Sequence, residues 1–376
     1  MNAPIYLDYN ATTPVDPIVA DAIEPYLRHH FGNPSSNHVY GRDAHQAVEK
    51  AREQVAILIG AQADEIVFTG CATEANNLAI RGAARALRDK GRHLITSAVE
   101  HPAVEQPCRR LGNDGWEVSV IPVDKYGQVN PAQLSDALRD DTVLVSIMHA
   151  NNEVGTIQPV EEIAAITQPR GILLHTDAAQ SVGKIPVSVD DLNVDLLTLA
   201  GHKFYATKGV GALYVRRGTP IQPVLVGAGH EAGLRPGTEN VPAIAGLGEA
   251  ARLAFERNPE HTQQLRLLRD QLHARLTEAI PGILLNGHPE QRLPNTLNLS
   301  FPGIDGRDLL AHAAAEVAAS VGSACHEDDA TVSGVLGAMG IKAERARGAV
   351  RLSLGTPSTG AEIERAAKAL IAAWQA

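Results

Sequence analysis

The sequence predicts an α/β chain: a large part built on a mainly parallel seven-stranded sheet, followed by a smaller α+β part. Three observations lead there. Short apolar runs rich in β-branched residues alternate with stretches of helical period through the first two-thirds. The runs carry no polar face, as strands covered on both sides by helices require. The alternation then stops near Glu256.

The first run is Ile66 to Thr69. Between it and the next, His93 to Thr96, the small and apolar residues Ala75, Leu78, Ala79, Gly82, Ala83, Ala86 and Leu87 recur at helical spacing and form one face. Val118 to Ile121, Val143 to Ile147, Ile172 to His175 and Leu196 to Thr198 continue the pattern, and Val210 to Val215 closes it. Strand, helix, strand in repetition makes a parallel sheet with crossover helices. Beyond Glu256, Leu265, Leu268, Leu272 and Leu276 mark a long amphipathic helix, with strands expected near Gly282 to Leu285 and Thr296 to Ser300. Thr359-Gly-Ala-Glu362 is a capping box that opens a last helix. The expected division is 15–256 for the large domain and 257–376 for the small one, with segment 1–14 joined to the latter.

Composition narrows the function classes. The 376 residues carry 43 acidic and 33 basic side chains, a formal charge of −10, with no basic block. That argues against nucleic-acid and membrane-surface binding. No apolar run approaches the ~18 residues of a membrane span, and Met1 to Leu7 lacks the charge and length of a signal peptide. Cys71, Cys108 and Cys325 are a sparse, odd set, which points to a reduced, cytoplasmic setting where a special cysteine is reactive rather than bridged. No metal-ligand spacing stands out.

Four strand ends carry polar groups that packing does not require, and strand ends are where an open parallel sheet binds ligands. Thr69-Gly-Cys-Ala-Thr73 opens a helix, either as a plain turn or as a phosphate cradle. Asn151-Asn152 follows the strongest strand, and Asp177 ends another, as a helix cap or as the partner of a cationic nitrogen. His202-Lys203 follows the next, where a desolvated lysine becomes a nucleophilic amine. An anion cradle, a carboxylate and a lysine on one sheet are the set that pyridoxal 5′-phosphate needs. His101 would start the helix after its strand, placed to stack on a ring and move protons. Cys325 lies in a glycine- and serine-rich charged stretch, where His326 favours its thiolate and Glu327, Asp328 and Asp329 oppose it.

These motifs, in this order, resemble those of the cysteine desulfurases and the related selenocysteine lyases over nearly the whole chain. The resemblance is carried by Tyr6-Leu-Asp-Tyr-Asn-Ala-Thr-Thr-Pro14, Gly32-Asn-Pro-Ser-Ser36, Thr73-Glu74, Glu100-His101, Asn151-Asn-Glu153, Thr176-Asp-Ala-Ala-Gln180, Gly201-His-Lys203, Arg235-Pro-Gly-Thr-Glu-Asn240, Gly322-Ser-Ala-Cys325 and Arg351-Leu-Ser-Leu-Gly355. It implies the fold-type-I architecture of pyridoxal-phosphate enzymes, within the class-V aminotransferase group, and a homodimer. Lys203 then matches the Schiff-base lysine, Asp177 the partner of the ring nitrogen, Gln180 that of the phenolic oxygen, and His101 the stacking, proton-moving histidine. Ala72, Thr73 and His202 match phosphate-binding positions, Asn152 a cofactor or substrate contact, and Thr238 the residue that reaches the neighbouring subunit's phosphate. Arg351 matches the grip on the substrate carboxylate, Asn33 a residue beside the substrate, and Cys325 the cysteine that takes up sulfur as a persulfide.

The implied reaction is conversion of L-cysteine to L-alanine, with sulfur passed to an acceptor protein, as in iron–sulfur cluster assembly. Release of selenium from L-selenocysteine is the alternative, favoured by Ala200 where desulfurases often carry Ser, by His326 after Cys325, and by the Arg235–Asn240 wording. Cys71 and Thr356 also depart from the usual pattern. An aminotransferase or epimerase would need Lys203 and Asp177 but not Cys325, and a scaffold without catalysis would need none of them.

Overall fold

The computed structural model describes residues 3–322 and 333–376. Its strands are β1 (Ile5–Tyr6), β2 (Ile66–Thr69), β3 (His93–Ser97), β4 (Glu117–Ile121), β5 (Thr142–Ser146), β6 (Leu173–Asp177), β7 (Leu196–Ala200), β8 (Gly211–Val215), β9 (Leu284–Asn286), β10 (Thr296–Ser300), β11 (Val317–Ala318) and β12 (Ala349–Ser353). Seven of them form one sheet in the order β2-β8-β7-β6-β5-β3-β4. The predicted α/β fold with a mainly parallel sheet is therefore what the chain forms. Only β8 runs against its neighbours, pairing antiparallel with both β7 and β2.

The central strands β3, β5, β6 and β7 and the edge strand β2 are buried at every position, which is why they read as largely apolar runs. The edge strand β4 is largely exposed, with Ile121 its buried residue. The helix Ala72–Leu87 lays Ala75, Leu78, Ala79, Ala83 and Leu87 against the sheet, and Pro102–Asn113 packs beside it.

The remainder is an antiparallel sheet in the order β12-β10-β9 and a parallel β1-β11 pair, covered by the helix Gly360–Gln375. The capping box at its start is formed, Thr359 Oγ1 accepting from the Glu362 backbone. The expected leucine helix is the end of a single 39-residue helix, Val241–Ala279. Its first half places Leu247, Ala250 and Ala251 in the large core, and its second half places Leu272 and Leu276 in the small one. The N-terminal segment touches both: β1 pairs with β11 and Ser353 of β12 donates its backbone N–H to Leu7, while Thr13 N donates to His202 O and Asp16 N to Tyr205 O. No helix among the described residues is long and apolar enough to cross a membrane.

Candidate active site

Because β8 alone is reversed, the carboxyl ends of β2, β3, β5, β6 and β7 all open on one edge of the sheet. The edge encloses a cavity of about 320 Å³, walled by residues of the predicted set: Ala72, Thr73, His101, Asn152, Asp177, Gln180, His202, Lys203 and Arg351. Segments more than a hundred residues apart thus converge on one pocket.

Asp177 ends β6 and is buried. Its Oδ1 accepts from Ala179 N at 2.9 Å and its Oδ2 from Asn76 Nδ2 at 2.7 Å, and both donors are neutral. A carboxylate held this way still favours a cation beside it. The cap and the cation-partner roles left open by the sequence are compatible, since the turn uses only one oxygen. Lys203 sits in the tight turn Gly201–Lys203 directly after β7, the strand next to β6. Its Nζ donates to the carbonyls of Asn10 at 2.7 Å and Ala11 at 2.8 Å.

His101 caps the helix Pro102–Asn113, its Nδ1 accepting from Ala103 N at 3.1 Å. An Nδ1 that accepts leaves the proton on Nε2, so the ring is the neutral tautomer. Burial lowers its pKa; Asp177 opposes that shift, and Lys203 adds to it. His202 is driven further, to about 4, by burial and then by Lys203, Lys208 and Lys184.

The cradle stands at the start of the helix Ala72–Leu87, where Cys71 is the N-cap but offers no side-chain hydrogen bond. The first backbone N–H groups of a helix have no partner within it and attract anions. Gly211 of β8 backs this turn so closely that a Cβ there would stand 2.9 Å from Cys71 C and 3.0 Å from Ala72 N. Glu74 braces it, Oε2 accepting from Gly70 N at 2.7 Å while Oε1 pairs with Arg235 Nε at 2.8 Å. Cys71 is exposed, and Cys108 is buried with its thiol pushed up to about 12 by burial and then by Glu100.

Arg351, in β12, brings the small domain into the site. Its Nη2 pairs with Asp8 Oδ1 at 2.7 Å and its Nη1 donates to Asn152 O at 3.1 Å, while the buried Nε has no partner among the described residues.

Asn33 and Thr238 are exposed and outside this cavity. Their neighbours Pro34, Ser35 and Glu239 line a separate groove of about 890 Å³. Cys325 lies outside the described residues, beyond Gly322, which reaches the cavity wall.

Reading the residues for chemistry overlooked Asp8, Asn10 and Asn76. Asn10 accepts from Lys203 on its carbonyl and from Asn295 on its side chain, while its amide donates to Thr296 and Asn152. The signal for it was the run Tyr6 to Pro14, which is short, polar and unlike a core strand. Glu100 was also passed over. It is fully buried, its Oε1 accepting from Ser97 Oγ at 2.6 Å and Met148 N at 2.9 Å, and burial raises its carboxyl to about 8.

The groups present fit pyridoxal 5′-phosphate: an anion cradle, a buried carboxylate held by two neutral donors, and a lysine share one pocket. The model of the aminotransferase class-V family matches residues 5–366. A cysteine desulfurase, IscS, of Dictyoglomus turgidum is 48% identical over 360 residues, covering 96% of this chain and 91% of that protein. One from Methanosarcina thermophila is 48% identical over 97% of this chain and 90% of its own. Among solved structures, a NifS-like protein aligns with a TM-score of 0.92 at 39% identity over 98% of both chains. SspA in complex with cysteine aligns with a TM-score of 0.83 at 38% identity, over 93% of this chain and 98% of that one. The chain belongs to the cysteine desulfurase family, on the class-V aminotransferase fold.

Proposed function

We propose that this protein is a pyridoxal-phosphate-dependent desulfurase that converts L-cysteine to L-alanine and leaves the sulfur on Cys325 as a persulfide. The observation that carries the proposal is that Asp177, at the end of β6, and Lys203, in the turn after the adjacent strand β7, line one cavity at one end of the sheet.

When bound, the cofactor supplies an aldehyde for the substrate amine and a ring that takes up the electron pair left by the α-proton. Lys203 would hold that aldehyde and, once released, act as the base at the α-carbon. Asp177 would keep the ring nitrogen protonated. Ala72 and Thr73, with His202, would hold the phosphate; Gln180 would donate to the ring oxygen. His101, neutral and fixed by its capping bond, would cover the ring and shuttle a proton through Nε2. Arg351 would take the substrate carboxylate in a planar fork, beside Asn152. The Cys325 thiolate would then attack the substrate sulfur: an S–S bond forms, the carbon–sulfur bond breaks, and the carbon skeleton is protonated and leaves as alanine.

Asn33 and Thr238 complete the reading only in a homodimer, across the groove beside them. A protein acceptor would receive the sulfur. A cytoplasmic location is part of the same reading.

Alanine release from L-cysteine and from L-selenocysteine, measured side by side with added cofactor, tests it. The wild type should turn over cysteine; Lys203→Ala and Cys325→Ala should not. A Cys325→Ala variant still active on cysteine would remove that residue from the mechanism. Turnover of selenocysteine alone would make the chain a selenocysteine lyase.

A further inference from the structure

One buried cation near the site has no part in the mechanism above. Lys184 lies one helical turn of sequence beyond Gln180 and is not on the cavity wall. Its Nζ donates to Gln180 Oε1 at 2.6 Å and to Asn10 Oδ1 at 3.0 Å. Burial, then the like charges of Lys203 and Arg351, hold its pKa well below the usual lysine range. Charged or neutral, the nitrogen has hydrogens for both acceptors.

The consequence falls on Gln180. A donor at 2.6 Å requires the amide oxygen to face it, which turns Nε2 the other way. One hydrogen of Nε2 goes to Asn10 O at 3.0 Å, and the second is left for the cavity that Gln180 lines. Asn10 does not depend on Lys184 in the same way, because Asn295 Nδ2 also donates to its Oδ1 at 3.1 Å. Among the described residues, Lys184 is the donor that holds Gln180 Oε1.

We propose that Lys184 is a positioning residue for the cofactor: by holding the oxygen of Gln180 it presents the Gln180 N–H to the ring oxygen. The inference rests on the functional reading above. It assigns Lys184 no contact with cofactor or substrate.

A double-mutant cycle tests it, with cofactor affinity measured by equilibrium dialysis and the absorption band of the bound cofactor recorded beside it. Gln180→Leu should weaken binding about tenfold and move the band, the scale of one buried hydrogen bond. Lys184→Met should weaken it about five- to tenfold and move the band in the same direction. The double variant should fall within about twofold of Gln180→Leu alone, because the two residues act as one unit. Losses that multiply, or a Lys184→Met protein with unchanged affinity and band, would overturn the proposal. If the Met variant does not melt cooperatively, Lys184→Arg replaces it. That variant keeps a donor, should bind within about twofold of wild type, and overturns the proposal if it binds as weakly as Gln180→Leu. A wild-type chain that takes up no cofactor would defeat the functional reading and this inference together; normal uptake with an additive cycle would defeat the inference alone.

Discussion

At the scale of single residues, the site is a set of charges whose neighbours decide their state. Arg351 is buried between Asp8 and Asn152, so on the proposed reading a substrate carboxylate would meet a guanidinium already fixed in plane. Lysine at this position keeps the charge but loses the fork. Arg351→Lys should therefore raise KM for cysteine about tenfold while kcat changes far less, which steady-state kinetics would show. Glu100 makes a different prediction, on stability. Its carboxyl is raised from 4.5 to about 8 in the fold, chiefly by burial. Between those values the unfolded chain is ionised and the folded one is not, so stability is lost as pH rises through that window and no further above it. Glu100→Gln keeps a neutral group of the same shape and removes the titration. Denaturation at pH 5 and pH 8 should show wild type losing a few kcal/mol more than the variant across the interval. Parallel behaviour of the two proteins would place an ionised carboxylate at 100.

At the scale of elements, the site is made by how strands meet a helix end. Gly211 begins the reversed strand β8 and pairs with both Thr69 and Ala200, so it lies against the cradle from below. Gly211→Ala would drive a Cβ into the Leu199 carbonyl of β7 as well as the Cys71 and Ala72 backbone, so that β8 and the turn must move apart. The protein should stay folded, at a cost of about 1–3 kcal/mol for overpacking, and cofactor affinity should fall at least tenfold. Affinity within twofold of wild type would show that this turn does not hold the phosphate.

The same elements show what the sequence disclosed. The central strands were legible because β5, β6 and β7 are buried on both faces, and the cradle was legible because a strand breaks into small residues there. Lys203 and Asp177 stood out as polar groups ending such strands. The helix Val39–Ile59 was readable from Ala44, Val48, Ala51 and Val55 but was overlooked, its buried face mixing alanines with Val48, Val55, Leu58 and Ile59. β1, β11 and the roles of Asp8 and Asn10 were not readable. Two-residue strands carry no period, and the bonds of Asn10 span 142 to 343 residues of sequence. Nothing in the sequence marks Lys184 as buried; only packing does.

At the scale of the whole molecule, the buried histidines tie the sheet's integrity to pH. His175 lies in the middle of the sheet, its Nδ1 bonded to Ser146 Oγ of β5 at 2.8 Å and its Nε2 to Thr198 Oγ1 of β7 at 3.1 Å, so one neutral ring joins three strands. His149 bonds Ser181 Oγ at 2.8 Å, and burial lowers both histidines from 6.5 to about 4. The sign is opposite to that of Glu100. Below about 6.5 the unfolded chain takes up protons that the folded chain refuses, so stability is complete above that pH and is lost as pH falls towards about 4. Because His175 lies in β6, the strand that ends in Asp177, and His149 is buried just after β5, this loss strikes the core that shapes the pocket and not a peripheral loop. Melting wild type and the His149→Gln, His175→Gln double variant from pH 7 to pH 4.5 should give a steeper fall for wild type, by up to two protons' worth of slope. The variant should start lower at pH 7, since glutamine cannot span both hydroxyls as the ring does and each lost buried bond costs about 1–3 kcal/mol. Equal slopes in the two proteins would mean that these rings are protonated within the folded sheet, and that its three central strands are held by something other than a neutral imidazole.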